Sequence, residues 1–314
     1  MSEPIHFLDL ASQPQGALRA ILDEAHRIKG EGRKPRPRTD VLAGRTLAMV
    51  FEKPSTRTRF SFDLAMREMG GDTIVANGSE MQLGRGESMP DTARVLSRYV
   101  DAVMIRMLDH DALAEFARHA EMPVINGLTR RSHPCQIIAD LITIEERLGP
   151  IEARTVAWVG DGNNMTATFL EAAGPLGFRM RIATPPELAV PDDVVEAARA
   201  AGADVFVSTD PREAVDGADV VAADCFASMG DEDEARRLKL LMPYQVNDDL
   251  MAAAAPGAVF LHCLPAHRNE EVTDAVMDGP QSAVFDEAEN RIHAQKAVLA
   301  YVFGLIAVAP ASDR

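Results

Sequence analysis

Short apolar runs recur along the chain at intervals that leave room for a helix between neighbours, and this alternation restricts the fold more than any other feature. The first series runs through Thr46 to Phe51, TIVA at 73–76, AVMIRM at 102–107 and PVING at 123–127. Helix-forming stretches separate them, among them PDTARVLSRYV at 90–100 and HDALAEFARHA at 110–120. Ahead of the series, Leu18, Ile21, Leu22, Ala25 and Ile28 fall at helical spacing and predict an amphipathic helix over 14–29. A strand, a helix and a further strand in this rhythm give a parallel sheet covered on both faces, because parallel neighbours need a long crossover.

A helix predicted from Pro134 to about Leu148 ends at the break GPIEAR, residues 149–154, and the rhythm then restarts. The second series is TVAWVGD, RMRIAT, DVFVST, DVVAAD and AVFLHCL. At 314 residues the chain exceeds the usual span of one core. Two doubly wound parallel-sheet α/β domains are therefore expected, residues 1–148 and 149–289, with the active site in the cleft between them, followed by a final apolar helix within 290–314, at about Asn290 to Val308.

Hydrophobic residues at 46% and charged residues at 25% describe an ordinary globular chain. A formal charge of −16 argues against nucleic acid, whose binding rests on clustered Lys and Arg. No apolar run approaches the roughly 18 residues of a membrane span, and MSEPIHFLDLAS does not read as a leader, so the expected location is cytoplasmic. The three cysteines, Cys135, Cys225 and Cys263, form no CxxC pair, which fits a reducing compartment.

The chemistry concentrates in FEKPSTRTRFSF, Phe51 to Phe62. A strand ends, and Ser55, Thr56, Arg57 and Thr58 open a helix whose free N–H groups and dipole favour an anion. On so acidic a chain the pocket for that anion must be locally positive, and Arg57, Arg106, His133 and Arg291 are candidates to build it. VGDGNNM at 159–165 invites a dinucleotide reading, but Met165 stands where the third glycine belongs and the next strand, RMRIAT, ends without an acidic residue for a ribose. No nicotinamide cofactor is expected.

STRTR after a strand, HPCQ at 133–136, DCFASMG at 224–230 and HCLPAHR at 262–268 together resemble the ornithine carbamoyltransferase family, in that family's order and across nearly the whole chain. The resemblance implies a carbamoyl phosphate site made of Ser55, Thr56, Arg57, Thr58, Gln82, Arg106, His133, Gln136, Cys263, Leu264 and Arg291. It also implies a homotrimer in which the Gln82 loop reaches a neighbouring subunit's site. Ornithine falls to Asn164, with Asn163 as the alternative, and to Asp224, Ser228 and Met229. Arg106, His133, Asp224 and Cys263 take the catalytic places. Further implications are a cis Leu264–Pro265 bond and a last helix that crosses back to the first domain. Phe226 stands where the family commonly has Trp. Carbamoyl phosphate is already activated, so neither metal nor other cofactor is called for, and Cys263 is expected to orient or handle a proton rather than form a covalent intermediate.

Overall fold

The computed structural model describes residues 3–32, 38–78, 86–227 and 233–308. Its backbone divides into two compact units, one made of residues up to Ala139 together with those from Arg291 onward, the other of Asp140–Asn290.

In the first unit α1 (Ala17–Gly30) precedes β1 (Thr46–Phe51), α2 (Thr56–Glu68), β2 (Asp72–Asn77), α3 (Met89–Leu96), β3 (Ala102–Arg106), α4 (His110–His119) and β4 (Val124–Leu128), after which α5 (Pro134–Leu148) begins. The strands form one sheet in the order β2-β1-β3-β4, and every pairing is parallel. β1 and β3 are central and buried along almost their whole length, as their unbroken apolar runs require. β2 is an edge strand, largely open to solvent, with Ile74 54% exposed. Ala48, Val50, Val103 and Ile105 of the sheet pack against Leu113 and Phe116 of α4. Asp109 fixes the start of that helix by accepting from the Asp111 and Ala112 N–H groups, at 2.9 and 3.1 Å.

The second unit contains β5 (Thr155–Val159), α6 (Asn164–Leu176), β6 (Arg179–Ala183), α7 (Asp192–Ala200), β7 (Asp204–Ser208), α8 (Pro211–Val215), β8 (Val220–Ala223), α9 (Glu234–Leu241), α10 (Asp248–Met251), β9 (Val259–His262) and α11 (Asp274–Met277), and α12 (Val284–Val302) starts within it. Its sheet runs β7-β6-β5-β8-β9, again all parallel. In both sheets the first strand has neighbours that wind off in opposite directions, β2 and β3 around β1, and β6 and β8 around β5. Beyond the carboxyl ends of such a pair the crossovers diverge and leave a crevice, where ligands of this architecture bind.

The final helix departs from the sequence expectation. It begins at Val284, six residues before the expected Asn290, and ends at Val302, before the expected Val308. Asp286 and Glu287 in its first turn interrupt the apolar pattern while suiting the helix dipole. Gly304, at φ 68, turns the chain out of the helix. Arg291 therefore sits two turns inside α12 instead of at its start.

A buried ion pair fixes α12 against α2 within the first unit. Lys296 Nζ lies 2.7 Å from Glu68 Oε2, with side chains 4% and 9% exposed. Lys296→Met is expected to lower stability by about 3–5 kcal/mol, because the buried Glu68 charge loses this counter-ion. Adding Glu68→Leu should recover most of the loss, and urea denaturation of both variants checks it. A single variant as stable as the parent chain would show that the pair contributes nothing.

Candidate active site

Two groups of expected residues lie at these crevices, one in each unit. In the first unit, α2 starts after β1 with Ser55 as its N-cap, and the Ser55 hydroxyl makes no cap bond to the helix. The hydroxyl and the first-turn N–H groups, which no helix can pair internally, are thus presented together. Arg106 ends β3, paired with Phe51 at the end of β1, which brings its guanidinium to the same edge. Its Nη1 donates to Thr58 Oγ1 at 3.5 Å, and Arg291 Nη2 donates to the same oxygen at 3.2 Å. A second Arg291 nitrogen, Nη1, donates to Gln136 Oε1. Thr58, His133, Gln136 and Arg291 are all buried.

His133 precedes Pro134, the first residue of α5. Burial, reinforced by the charges of Arg291, Arg106 and Arg57, holds its imidazole well below the usual histidine range. The ring is therefore neutral at neutral pH, able to donate one N–H without adding a cation. Next to it, Cys135 is fully buried, its thiol directed at Asn126 O at 3.5 Å and pushed up to about 12 by burial. That thiol is inert. Thr58, Arg106, Gln136 and Arg291 are thus joined by hydrogen bonds, the charges of Arg57, Arg106 and Arg291 reach His133, and the grouping is strongly cationic.

In the second unit, Asp224 follows β8 and Cys263 follows β9. The Cys263 thiol donates to Asp224 Oδ1 at 3.1 Å, which also accepts from the Cys225 N–H at 2.8 Å. Oδ2 accepts from Asn163 Nδ2 at 2.8 Å. Burial, then the Asp224 carboxylate, pushes the Cys263 thiol well above its ordinary value. Cys263 is consequently a neutral thiol beside a carboxylate, the wrong ionisation for a nucleophile. Asn163 is the N-cap of α6, and its Oδ1 accepts from the Met165 N–H at 2.9 Å. Its amide is occupied at both ends, by the helix and by Asp224, so it acts as the support of the carboxylate, while Asn164 opens the helix. Sequence reading left open which of these two asparagines meets ornithine; the preference for Asn at N-caps is the signal for the capping role of Asn163.

Leu264 adopts φ 58, its N–H donates to His262 Nδ1 at 2.9 Å, and the Leu264–Pro265 bond is cis, as the resemblance implied. Gly162 is glycine for an internal reason: a Cβ there would stand 2.4 Å from Val190 N. Gln82, Ser228 and Met229 lie outside the described residues. Spacing alone did not disclose that Thr58 joins Arg106 to Arg291, nor that His262 faces a fully buried Glu271 at 3.3 Å.

A cationic anion cradle at one sheet's switch point, and a carboxylate with a neutral thiol at the other's, define a two-domain α/β transferase that handles an anionic donor and a cationic acceptor. The known proteins narrow this class. Residues 5–146 match the carbamoyl-P binding domain of aspartate/ornithine carbamoyltransferases, and residues 152–302 match the Asp/Orn binding domain of the same enzymes. The chain is 58% identical over 307 residues to an ornithine carbamoyltransferase of Rhodopseudomonas palustris, covering 96% of this chain and 98% of that one. It is 56% identical over 313 residues to the ornithine carbamoyltransferase of Caulobacter vibrioides, covering 98% and 100%. The solved ornithine carbamoyltransferase of Pyrococcus furiosus superposes with a TM-score of 0.92 at 46% identity, covering 97% of this chain and 99% of that one. The chain belongs to the aspartate/ornithine carbamoyltransferase family.

Proposed function

We propose that this enzyme transfers the carbamoyl group of carbamoyl phosphate to the δ-amine of L-ornithine, giving L-citrulline and phosphate, as a step in arginine metabolism. The observation that carries the reading is the pairing of a cationic cradle, Arg57, Arg106 and Arg291 around Thr58 and His133, with the Asp224 carboxylate and its protonated Cys263 partner. Residues 1–148 bind carbamoyl phosphate, 149–289 bind ornithine, and 290–314 return to complete the first site with Arg291. The protein works in the cytoplasm as a homotrimer, in which Gln82 serves a neighbouring subunit's phosphate site.

Ser55, Thr56, Arg57 and the α2 N–H groups hold the phosphate. Thr58, Arg106 and His133 donate to the carbamoyl oxygen, and Gln136, Cys263 and the Leu264 carbonyl orient the carbamoyl NH₂. Asp224 and Ser228 take the ornithine α-amino group, and Asn164 and Met229 take its carboxylate side. The neutral δ-amine attacks the carbamoyl carbon, and the negative charge that gathers on the oxygen is met by donors already in place. The C–N bond forms, the C–O bond to phosphate breaks, and the nitrogen's surplus proton leaves with the phosphate. Cys263 orients without becoming covalently attached.

The δ-ammonium has a reference pKa of about 10.4, so only a small fraction is neutral at pH 7. The kcat/KM for ornithine is therefore expected to rise about tenfold per pH unit from pH 6 to pH 8, since each unit multiplies the attacking form tenfold. Phosphate release and citrulline formation, measured with ornithine, acetylornithine, putrescine and aspartate offered separately, test the assignment. Ornithine should be used in strong preference. Turnover with another acceptor would overturn the ornithine half alone, and a flat pH profile would count against the neutral-amine step.

A further inference from the structure

The segment that follows β9 carries donor atoms that the proposed carbamoyl transfer does not use. His267 Nδ1 lies 3.7 Å from Glu271 Oε2 and 4.0 Å from Glu270 Oε2, and the three residues each place a donor atom within 4.8 Å of the others. Glu271 is 0% exposed. Its Oε1 accepts from the His267 backbone N–H and faces His262 Nε2 at 3.3 Å, but Oε2, the atom turned toward His267, has no hydrogen-bond partner among the described residues. His262 Nε2, likewise buried, has none either. The neighbouring guanidinium does not help, because Arg268 is engaged by Asp274 at 2.6 Å and by Asp278 at 2.6 and 2.8 Å.

A buried carboxylate oxygen without a donor is costly, and one that points at a half-exposed imidazole and a second carboxylate is arranged for a cation. We infer that His267, Glu270 and Glu271 bind a divalent metal ion of the zinc class, with a fourth position open to water. One imidazole and two carboxylates suit zinc better than magnesium, which prefers an all-oxygen octahedral shell. Donors about 2.1 Å from a tetrahedral zinc stand about 3.4 Å apart. The 3.7 and 4.0 Å separations thus need contractions of only a few tenths of an ångström, and His267 and Glu270, 46% and 42% exposed, are free enough to supply them. The buried ligand already has the support such carboxylates require, its other oxygen being held by a backbone N–H beside His262.

This group differs from the nearby Asp224, His262 and Cys263, whose donor atoms also approach within 4.8 Å. There the thiol keeps its proton and donates a hydrogen bond to Asp224, whereas zinc takes a thiolate. The proposed ion would tie together a segment whose inner end, Glu271, faces His262, which in turn receives the Leu264 N–H. The inference is independent of which amine the enzyme carbamoylates.

The test is calorimetric titration of the full chain with zinc after chelator treatment, in a Cys263→Ser background that removes the thiol. The expected result is zinc uptake at this site that His267→Ala and Glu270→Gln each weaken at least tenfold. Both positions are surface ones, so neither substitution endangers folding as Glu271→Gln does. Zinc uptake that disappears with Cys263→Ser alone, or that His267→Ala and Glu270→Gln leave unchanged, overturns the proposal.

Discussion

Replacing Arg57 with alanine is expected to lower kcat by at least about 10²–10³-fold while the circular dichroism spectrum stays that of the parent chain. The side chain stands in the first turn of α2, and its backbone carbonyl, which accepts from Ser61 Oγ, is unaffected by truncation. What is lost is positive charge where phosphate departs, and a group aimed at departing charge stabilises the transition state more than the bound substrate. The same substitution removes one of the three cations that hold His133 down, so the imidazole should move back toward its ordinary value. Any acid limb of the rate profile that reports His133 must then shift to higher pH, never lower. Arg57→Lys restores the charge without the planar fork and should recover only part of the rate. Near-normal turnover by Arg57→Ala would remove this arginine from the phosphate site.

That arginine was legible in the sequence because its position is set locally, by a buried strand that ends and a helix that begins. The same holds for Arg106, Asp224 and Cys263, each at or just past the carboxyl end of a strand whose apolar run is unmistakable. What sequence reasoning missed depends on packing between distant segments. Thr58 and Arg291 are 233 positions apart, and only the docking of α12 brings the guanidinium to the hydroxyl. The start of α12 was misplaced because its opening acidic residues break the apolar period, although they suit a helix N-terminus. Edge strands gave a related difficulty. DVFVST reads as one more strand of the second series, and nothing in it marks an edge, yet β7 ends its sheet and leaves Phe206 42% exposed, with the Arg181 guanidinium 5.2 Å from the ring centroid. Glu271 drew no notice in the sequence, since nothing in NEEVTD distinguishes a solvated carboxylate from one with no exposure at all.

Asp224→Asn supplies the second large effect, because one carboxylate there serves three neighbours. It accepts from the Cys263 thiol, the Asn163 amide and the Cys225 N–H, and in the proposed reaction it also balances the acceptor's α-ammonium. Loss of the charge should reduce kcat/KM for ornithine by about 10²–10³-fold, the range for removing one member of a buried charged pair. The KM for carbamoyl phosphate should change much less, because only Cys263 and Leu264 of its proposed contacts lie in the unit of Asp224, the others, from Ser55 to Gln136 and at Arg291, lying in the first unit. The thiol moves the other way. A negative neighbour raises the Cys263 value, so removing it must lower that value, increase the thiolate fraction at a given pH and speed alkylation by iodoacetamide. These opposite movements separate two roles for Cys263. Were the sulfur a nucleophile, a more ionised thiol would offset part of the lost activity, and a carbamoyl-thiol adduct would accumulate during turnover. For an orienting thiol the carboxylate's geometry and charge are what matter, so activity falls while sulfur reactivity rises. Kinetics and alkylation rates measured on the same preparation decide between the two, and alkylation that slows alongside catalysis would show that Asp224 does not set the thiol's ionisation.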